Sequence, residues 1–364
     1  MKCLIFIFVF KNMESSSNQP QKNISENFFF SDALKEIISG LSKRSQEIIF
    51  IRYGVHGGNA LTLEEIGNKY NITRERVRQI VHEVVRKICE KKDNPYLVQA
   101  KTKITLAIQS NSGIIEKKKL ASELGKSDKS EEAAISFFLE CVDGINYQEI
   151  PGVLKASYST AEFNVKKWKS IKDAAVEMLE KKKSTLLLDE LFKSIVENYS
   201  FSGFGKENLS HYLDVSEELA RNSFGKWGIA KWKEVSPKGT REKAYLILKE
   251  TKKPLHFREI AEEIDRHSLN KKKTHPQTVH NELIKDDNFV LVGRGIYALA
   301  EWGYKKGTVK DVIEEIIKAA KKPLKRDEII GKVLKVRQVK KSTIVINLNN
   351  YFTKSKSGTY SIKK

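Results

Sequence analysis

Cysteine and proline are scarce in this 364-residue chain, and patterns for phosphate loops, metal ligands and membrane spans are missing. The three cysteines, Cys3, Cys89 and Cys141, stand at no paired spacing, which argues against a disulfide framework and for reduced thiols in a cytoplasmic protein. No Cys-x-x-Cys occurs, and the seven histidines show no metal-ligand spacing. No Gly-x-x-x-x-Gly-Lys phosphate loop is present; Gly203-Phe204-Gly205-Lys206 is too short to make one. None of the seven prolines precedes an aspartate, so the Pro-Asp signature of a restriction nuclease is missing in its usual form. A non-enzyme without cofactor or metal is therefore expected. The apolar run at residues 3–10 is too short to span a membrane. No small-residue cleavage site follows it before Met13, which favours a start codon assigned too early, with translation from Met13 rather than Met1, over a targeting segment.

What is abundant is positive charge. Lysine and arginine number 66 against 46 acidic residues, a net charge of +20, read here as spread along the chain. A basic protein of this size meets a polyanion, and phosphate neutralisation supplies affinity that ignores sequence. Ribosomal or membrane-surface partners give the same statistic, so charge alone does not choose among them. Hydrophobic residues make up 40% of the chain, ample for packed domains. Residues 14–26 are polar and expected to be disordered. Phe28, Phe29 and Phe30 are expected to pack against the first helix.

Residues 63–80 carry the sharpest local signal. Leu63, Ile66, Tyr70, Ile72, Val77 and Ile80 follow the helical period in two segments. Gly67 stands where the two helices cross. Asn71 takes the turn, where a left-handed conformation suits it. Thr62 with Glu65 forms a capping box on the first helix, and Thr73 caps the second. This is a helix-turn-helix. With Val77, Ile80, Val84 and Ile88 turned inward, Arg74, Glu75, Arg78, Gln79, His82 and Arg86 point outward. The first turns of such a helix reach base edges in the major groove, where Arg pairs with guanine, Glu accepts from the cytosine amino group and Gln pairs with adenine. The candidate DNA-contacting set is Thr73, Arg74, Glu75, Arg76, Arg78, Gln79, His82 and Arg86. The alternative is a solvated charged face on a helical bundle.

Residues 41–89 resemble region four of the housekeeping-type sigma factors of bacterial RNA polymerase. The resemblance rests on Arg52-Tyr53-Gly54, Thr62-Leu63-Glu64-Glu65-Ile66-Gly67 and Thr73-Arg74-Glu75-Arg76-Val77-Arg78-Gln79-Ile80. It implies recognition of a −35-type promoter element by Arg74, Glu75, Arg78 and Gln79. It also implies a grip on the polymerase beta flap by the helix at residues 43–53, with Ile48, Ile49 and Ile51 either available to the flap or serving only as core. The family's long promoter-melting segment finds no counterpart in the roughly forty residues before the match, so the chain is not expected to open a promoter alone.

The C-terminal third contains an internal repeat. Residues 241–255 align with 310–324 at an offset of 69, the helices at 257–264 and 326–333 follow at the same offset, and shorter offsets further on place the length differences in loops. Each copy reads helix, helix, helix, then a hairpin; in the first, two alternating strands flank Gly293-Arg294-Gly295. That is a winged helix, and its Gly-x-Gly lies between two strands, so it is no dinucleotide fingerprint. The stretch from about 240 to 304 resembles the HARE helix-turn-helix domain found in RNA polymerase delta subunits and beside some restriction endonucleases. Residues 254–261, 274–280 and 295–299 carry that likeness. Pro276 begins the third helix; Gln277, His280 and Asn281 face DNA, Arg294 sits at the wing tip and Lys271 to Lys273 lie near a phosphate. The alternative is a solvated or protein-facing surface. Residues 224–232 read as another wing, and Trp227 and Trp232 serve either base stacking or core packing.

The expected fold is mainly α: a helix-turn-helix head followed by an array of small winged-helix domains, each α with a β-hairpin wing. The boundaries are 1–30 disordered or mis-assigned, 31–95 the sigma region-four-like head, 96–168 and 169–236 helical winged-helix units, 237–304 the HARE-type unit and 305–364 its second copy. The expected function is a sigma-like DNA-binding transcription factor, cytoplasmic and nucleoid-associated, with double-stranded promoter-like DNA and the RNA polymerase core as partners. Two alternatives remain: a DNA-reading specificity module of a modification or defence system, and a polymerase accessory subunit that reads no bases.

Overall fold

The computed structural model describes residues 29–304, 307–337, 339–355 and 357–363. The expectations for residues 1–28, including Cys3, the early start, the disordered stretch and Phe28, lie outside them. The described residues divide into two compact units, one running up to residue 147 and including 158–163, the other holding residues 148–157 and those from 164 onward.

The first unit opens with α1 (Phe30–Ile38), α2 (Lys43–Tyr53), α3 (Leu63–Tyr70) and α4 (Arg74–Cys89), then α5 (Pro95–Ser110). After these come β1 (Ile114–Glu116), α6 (Lys117–Gly125), α7 (Lys129–Cys141), β2 (Ile145–Ile150) and β3 (Leu154–Thr160), with the strands in the order β1-β3-β2. Residues 148–157, at the turn of that hairpin, belong to the second unit. From α5 onward this is helix, short strand, helix, helix, hairpin: a winged helix.

The helix-turn-helix does not stand on a core of its own. A small cluster of Ile48, Ile66 and Val77 seats α3 on α4. The larger cluster joins Leu34 and Ile38 of α1, Ile49 of α2, and Val84 and Ile88 of α4 to Ile104, Phe137 and Phe138 of the winged helix. A carboxylate ties the two further. Glu131 of α7, 8% exposed, accepts the backbone N–H groups of Phe30 at 2.6 Å and Ser31 at 3.0 Å, satisfying donors that the first turn of α1 leaves open. Phe30 meets the Phe138 ring edge-on at 5.9 Å, whereas Phe29 is 53% exposed, so of these two phenylalanines only Phe30 packs as expected. Cys89 and Cys141 are both free thiols, and Cys89 Sγ donates to the carbonyl of Glu140, the residue before Cys141, at 3.7 Å.

The second unit holds three more winged helices. The first has α8 (Val165–Lys182), α9 (Leu188–Asn198), α10 (Lys206–Asp214), β4 (Leu219–Arg221) and β5 (Trp227–Ile229). The next has α11 (Thr240–Thr251), β6 (Leu255–His256), α12 (Phe257–Arg266), α13 (Pro276–Ile284), β7 (Phe289–Gly293) and β8 (Ile296–Leu299). The last has α14 (Val309–Ala320), β9 (Leu324–Lys325), α15 (Arg326–Val336), α16 (Lys341–Tyr351), β10 (Phe352–Lys354) and β11 (Thr359–Ile362). In the last two, the short strand after the first helix is an addition to the helix-helix-helix-hairpin reading. Leu255 pairs with Tyr297 and Leu324 with Tyr360, each joining the wing's second strand.

The 69-residue period runs through three copies rather than two. Lys183, Lys252 and Lys321 end the first helices in the left-handed conformation, at φ of 51°, 54° and 51°. Leu186 bridges to Trp227 as Leu255 and Leu324 pair in the later copies. Glu190, Glu259 and Glu328 accept the backbone N–H of the residue three positions earlier, at 3.1, 2.7 and 3.2 Å. Trp227 is 2% exposed and belongs to the core, which removes it from base stacking; Trp232 is half-buried. Among the described residues, no helix is long and apolar enough to cross a membrane. The architecture is mainly α, a helix-turn-helix followed by winged helices with small antiparallel sheets.

Candidate nucleic-acid interface

The corner that presents α4 is assembled from local hydrogen bonds. The Thr62 hydroxyl accepts from Glu65 N–H at 3.2 Å, while the Glu65 carboxylate accepts from Thr62 N–H at 2.7 Å. Asn71 ends α3 at φ 50° and ψ 49°, and Thr73 Oγ1 accepts Arg76 N–H at 3.1 Å to start α4. Between them the backbone closes tightly on Gly67: a Cβ there would lie 2.7 Å from the Ile72 carbonyl oxygen. Gly67→Ala is therefore expected to spread the corner and cost about 1–3 kcal/mol. A urea titration followed by circular dichroism measures this, and an unchanged midpoint would show that the corner has slack.

Every residue of the set expected on α4 is exposed: Thr73, Arg74, Glu75, Arg76, Arg78, Gln79, His82 and Arg86. Val77, Val84 and Ile88 are buried and Ile80 half-buried, so the inward and outward faces divide as the periodicity required. Two pairs order the outward face. Arg78 donates to both Glu75 oxygens, at 2.8 and 2.7 Å, and Arg76 donates to Gln79 Oε1 at 3.2 Å. The hydrogen bonds from Arg78 hold the Glu75 carboxyl below the usual carboxylate range, and Glu75 raises the Arg78 guanidinium above its ordinary value. Arg86 is paired with Glu90 at 2.9 Å, one turn beyond.

Sequence reasoning passed over Arg44. Its guanidinium donates to the Tyr70 carbonyl at 3.0 Å and lies 5.7 Å from the centre of that ring. Together with Arg76 and Lys87 it lines a cleft of about 480 Å³ between the start of α2 and the flank of α4. The available signal was a basic residue two positions after the Ser42 cap, on a helix read only for its isoleucines. Of those, Ile48 and Ile49 are fully buried, which corrects the reading that leaves them available to a flap; Ile51 is half-buried.

In the third winged helix the expected residues separate. Gln277 and Asn281 are exposed on α13 and joined by a 3.3 Å hydrogen bond, and Arg294 is exposed at the wing tip. His280 is not with them. It is half-buried, 4.7 Å from the Phe257 ring, with Nδ1 2.9 Å from the Tyr297 hydroxyl. Burial pushes that hydroxyl up to about 12, so it keeps its proton at neutral pH, and the His280 tautomer sets which of the two groups donates. The helical spacing that put His280 outward took no account of the wing folding back beside it. Gly295, at φ 72°, permits this: a Cβ would meet His256 Nε2 at 2.6 Å.

An exposed, arginine-rich second helix on a rigid corner, followed by winged helices, defines the class of helix-turn-helix proteins. Comparison with known proteins gives more particular likenesses. Residues 37–89 match the family model for sigma-70, region 4, and residues 240–302 match the HARE-HTH model, which describes an ASXL and restriction endonuclease HTH domain. RNA polymerase sigma factor SigA of a Nostoc species is 40% identical over 76 residues, 21% of this chain and 19% of that protein. SigA of Clostridium acetobutylicum is 40% identical over 57 residues, 16% of this chain and 15% of the relative. The sigma factor sigB of Arabidopsis thaliana is 38% identical over 71 residues, 20% and 12% respectively. The chain spans about a fifth or less of the length of these relatives.

Proposed function

We propose that this protein is a sigma-factor-like DNA-binding transcription factor. It reads a −35-type promoter element through Arg74, Glu75, Arg78 and Gln79 of α4 and contacts RNA polymerase. The exposed, paired outward face of α4 on the Gly67 corner is the observation that carries this reading, and the match of residues 37–89 to sigma-70 region 4 supports it. Thr73, Arg76, His82 and Arg86 flank the reading edge and serve phosphates or neighbouring bases; Arg44 and Lys87 join Arg76 on its flank. Gln277, Asn281 and Arg294 form a second, separate DNA-facing set, from which His280 is withdrawn as a positioning residue for the wing. A contact with the beta flap rests on Ile51 rather than on the buried pair beside it. The protein acts as a reader without catalytic function, in the cytoplasm and on the nucleoid.

Selection of bound duplexes from a random library, with a polymerase pull-down on the full chain in the absence of DNA, tests the reading. Enrichment of a −35-like sequence and capture of core polymerase are expected. Capture without any enriched sequence would favour an accessory subunit that reads no bases. Enrichment without polymerase would favour the second reading, a specificity module for a DNA-modifying or defence system, which the match of residues 240–302 to a restriction endonuclease HTH domain supports.

A further inference from the structure

Counted by domain, the positive charge is not spread evenly. Residues 305–364 hold 17 basic and 5 acidic residues, a net of +12 out of +20 for the whole chain. The preceding copy, 237–304, has 13 against 10, and 169–236 has 11 against 11. Within the last domain four of the five acids cap a helix or pair with a cation. Asp311 caps α14, accepting Thr308 N–H at 2.6 Å, and Glu328 caps α15 through Lys325 N–H at 3.2 Å. Glu314 pairs with Lys318 at 2.7 Å and Asp327 lies 3.6 Å from Arg326; Glu315 completes the five on α14. From Ile329 to the end there are nine basic residues and no acid.

That acid-free stretch includes the parts a winged helix offers outward, its third helix and its wing. Of the four third helices, α7, α10 and α13 each contain carboxylates, and α7 spends Glu131 on capping α1; α16 has none. The helix α16 buries Ile344 and Leu348; beyond Lys341 it exposes Ser342, Ile346, Asn349, Asn350 and Tyr351, an uncharged face that mixes polar and apolar groups. Exposed Lys340 and Lys341 stand at its start and exposed Lys354 on β10. A neutral hydrogen-bonding helix framed by cations fits a groove between two phosphate backbones better than it fits an acidic protein surface, where the framing charges would be met and the amide face left unmatched.

We propose that the fourth winged helix is the chain's main sequence-independent contact with duplex DNA, α16 facing a groove and Lys340, Lys341 and Lys354 on phosphates. It does not rest on what α4 reads. The test measures binding of the full chain to a random-sequence duplex by fluorescence anisotropy across a salt series. The triple variant Lys340→Gln, Lys341→Gln, Lys354→Gln is compared with a control of equal charge loss at exposed lysines of the second winged helix, Lys166→Gln, Lys169→Gln, Lys182→Gln. Each phosphate contact removed lowers the slope of log affinity against log salt by about 0.9, so the triple variant should lose about 2 to 3 of slope and the control distinctly less. Matching circular dichroism melts establish that both variants fold. An unchanged slope, an equal loss in the control, or a loss seen with single-stranded RNA and not with duplex DNA overturns the proposal.

Discussion

Arg78→Ala should weaken binding to the preferred duplex by about 1–3 kcal/mol, on the order of ten- to a hundredfold, and narrow the gap to unrelated sequences. A guanidinium that grips guanine bidentately is lost together with its discrimination, whereas a phosphate contact is lost equally on every sequence. In the structure the Arg78 fork is occupied by Glu75. That pair lies on the exposed face of one helix, 59% and 57% accessible at the two side chains, where such ion pairs contribute little, so DNA can take Arg78 away from it cheaply. Once released, Glu75 can accept from a cytosine amino group beside the guanine. Titrating wild type and variant against preferred and random duplexes at one salt concentration measures both affinities. A proportionate fall on the two duplexes would mean that Arg78 touches phosphate, and α4 would then be positioned on DNA without reading it.

Trp168→Ala should cost the second unit about 3–5 kcal/mol, a large fraction of what holds a small domain together. Trp168 is 1% exposed and donates from Nε1 to the Tyr212 carbonyl at 3.0 Å, so the truncation opens a cavity and strips a partner from a backbone acceptor. Chemical denaturation followed by circular dichroism should show an early transition; Trp168→Phe, which keeps most of the volume and loses only the donor, should fall between. If the alanine variant melts with the wild type, neighbouring side chains have closed the gap and the packing around Trp168 is less specific than its burial indicates.

Much of the head was legible because each of its signals is local. The capping box at Thr62, the left-handed Asn71, Gly67 at the crossing and the inward periodicity of α4 all act over a few residues. What escaped depends on distant parts of the chain. Glu131 caps a helix 101 residues earlier, and Cys89 reaches the Glu140 carbonyl across the same core, pairings that spacing along the chain does not announce. His280 was misplaced for a related reason, since the partner that turns it inward, Tyr297, arrives from the following hairpin. The earliest 69-residue copy was hidden because the first repeat kept the cap and the strand residue but not the Lys-Lys-Pro-Leu motif shared by its successors. Backbone geometry preserves Lys183 and Leu186 in step with the later copies where the surrounding letters have drifted.

The left-handed lysines at 183, 252 and 321 are three equivalent joints set 69 residues apart. A crossover between neighbouring joints removes or inserts one entire domain, and one between the outer two removes or inserts two, without displacing a single interior position in those that remain. The length of the array is thereby free to change in whole steps, while the outer helix of each copy diverges on its own. A third helix without carboxylates in the last copy and an acid-bearing one in the copy before it are the kind of divergence such an arrangement allows.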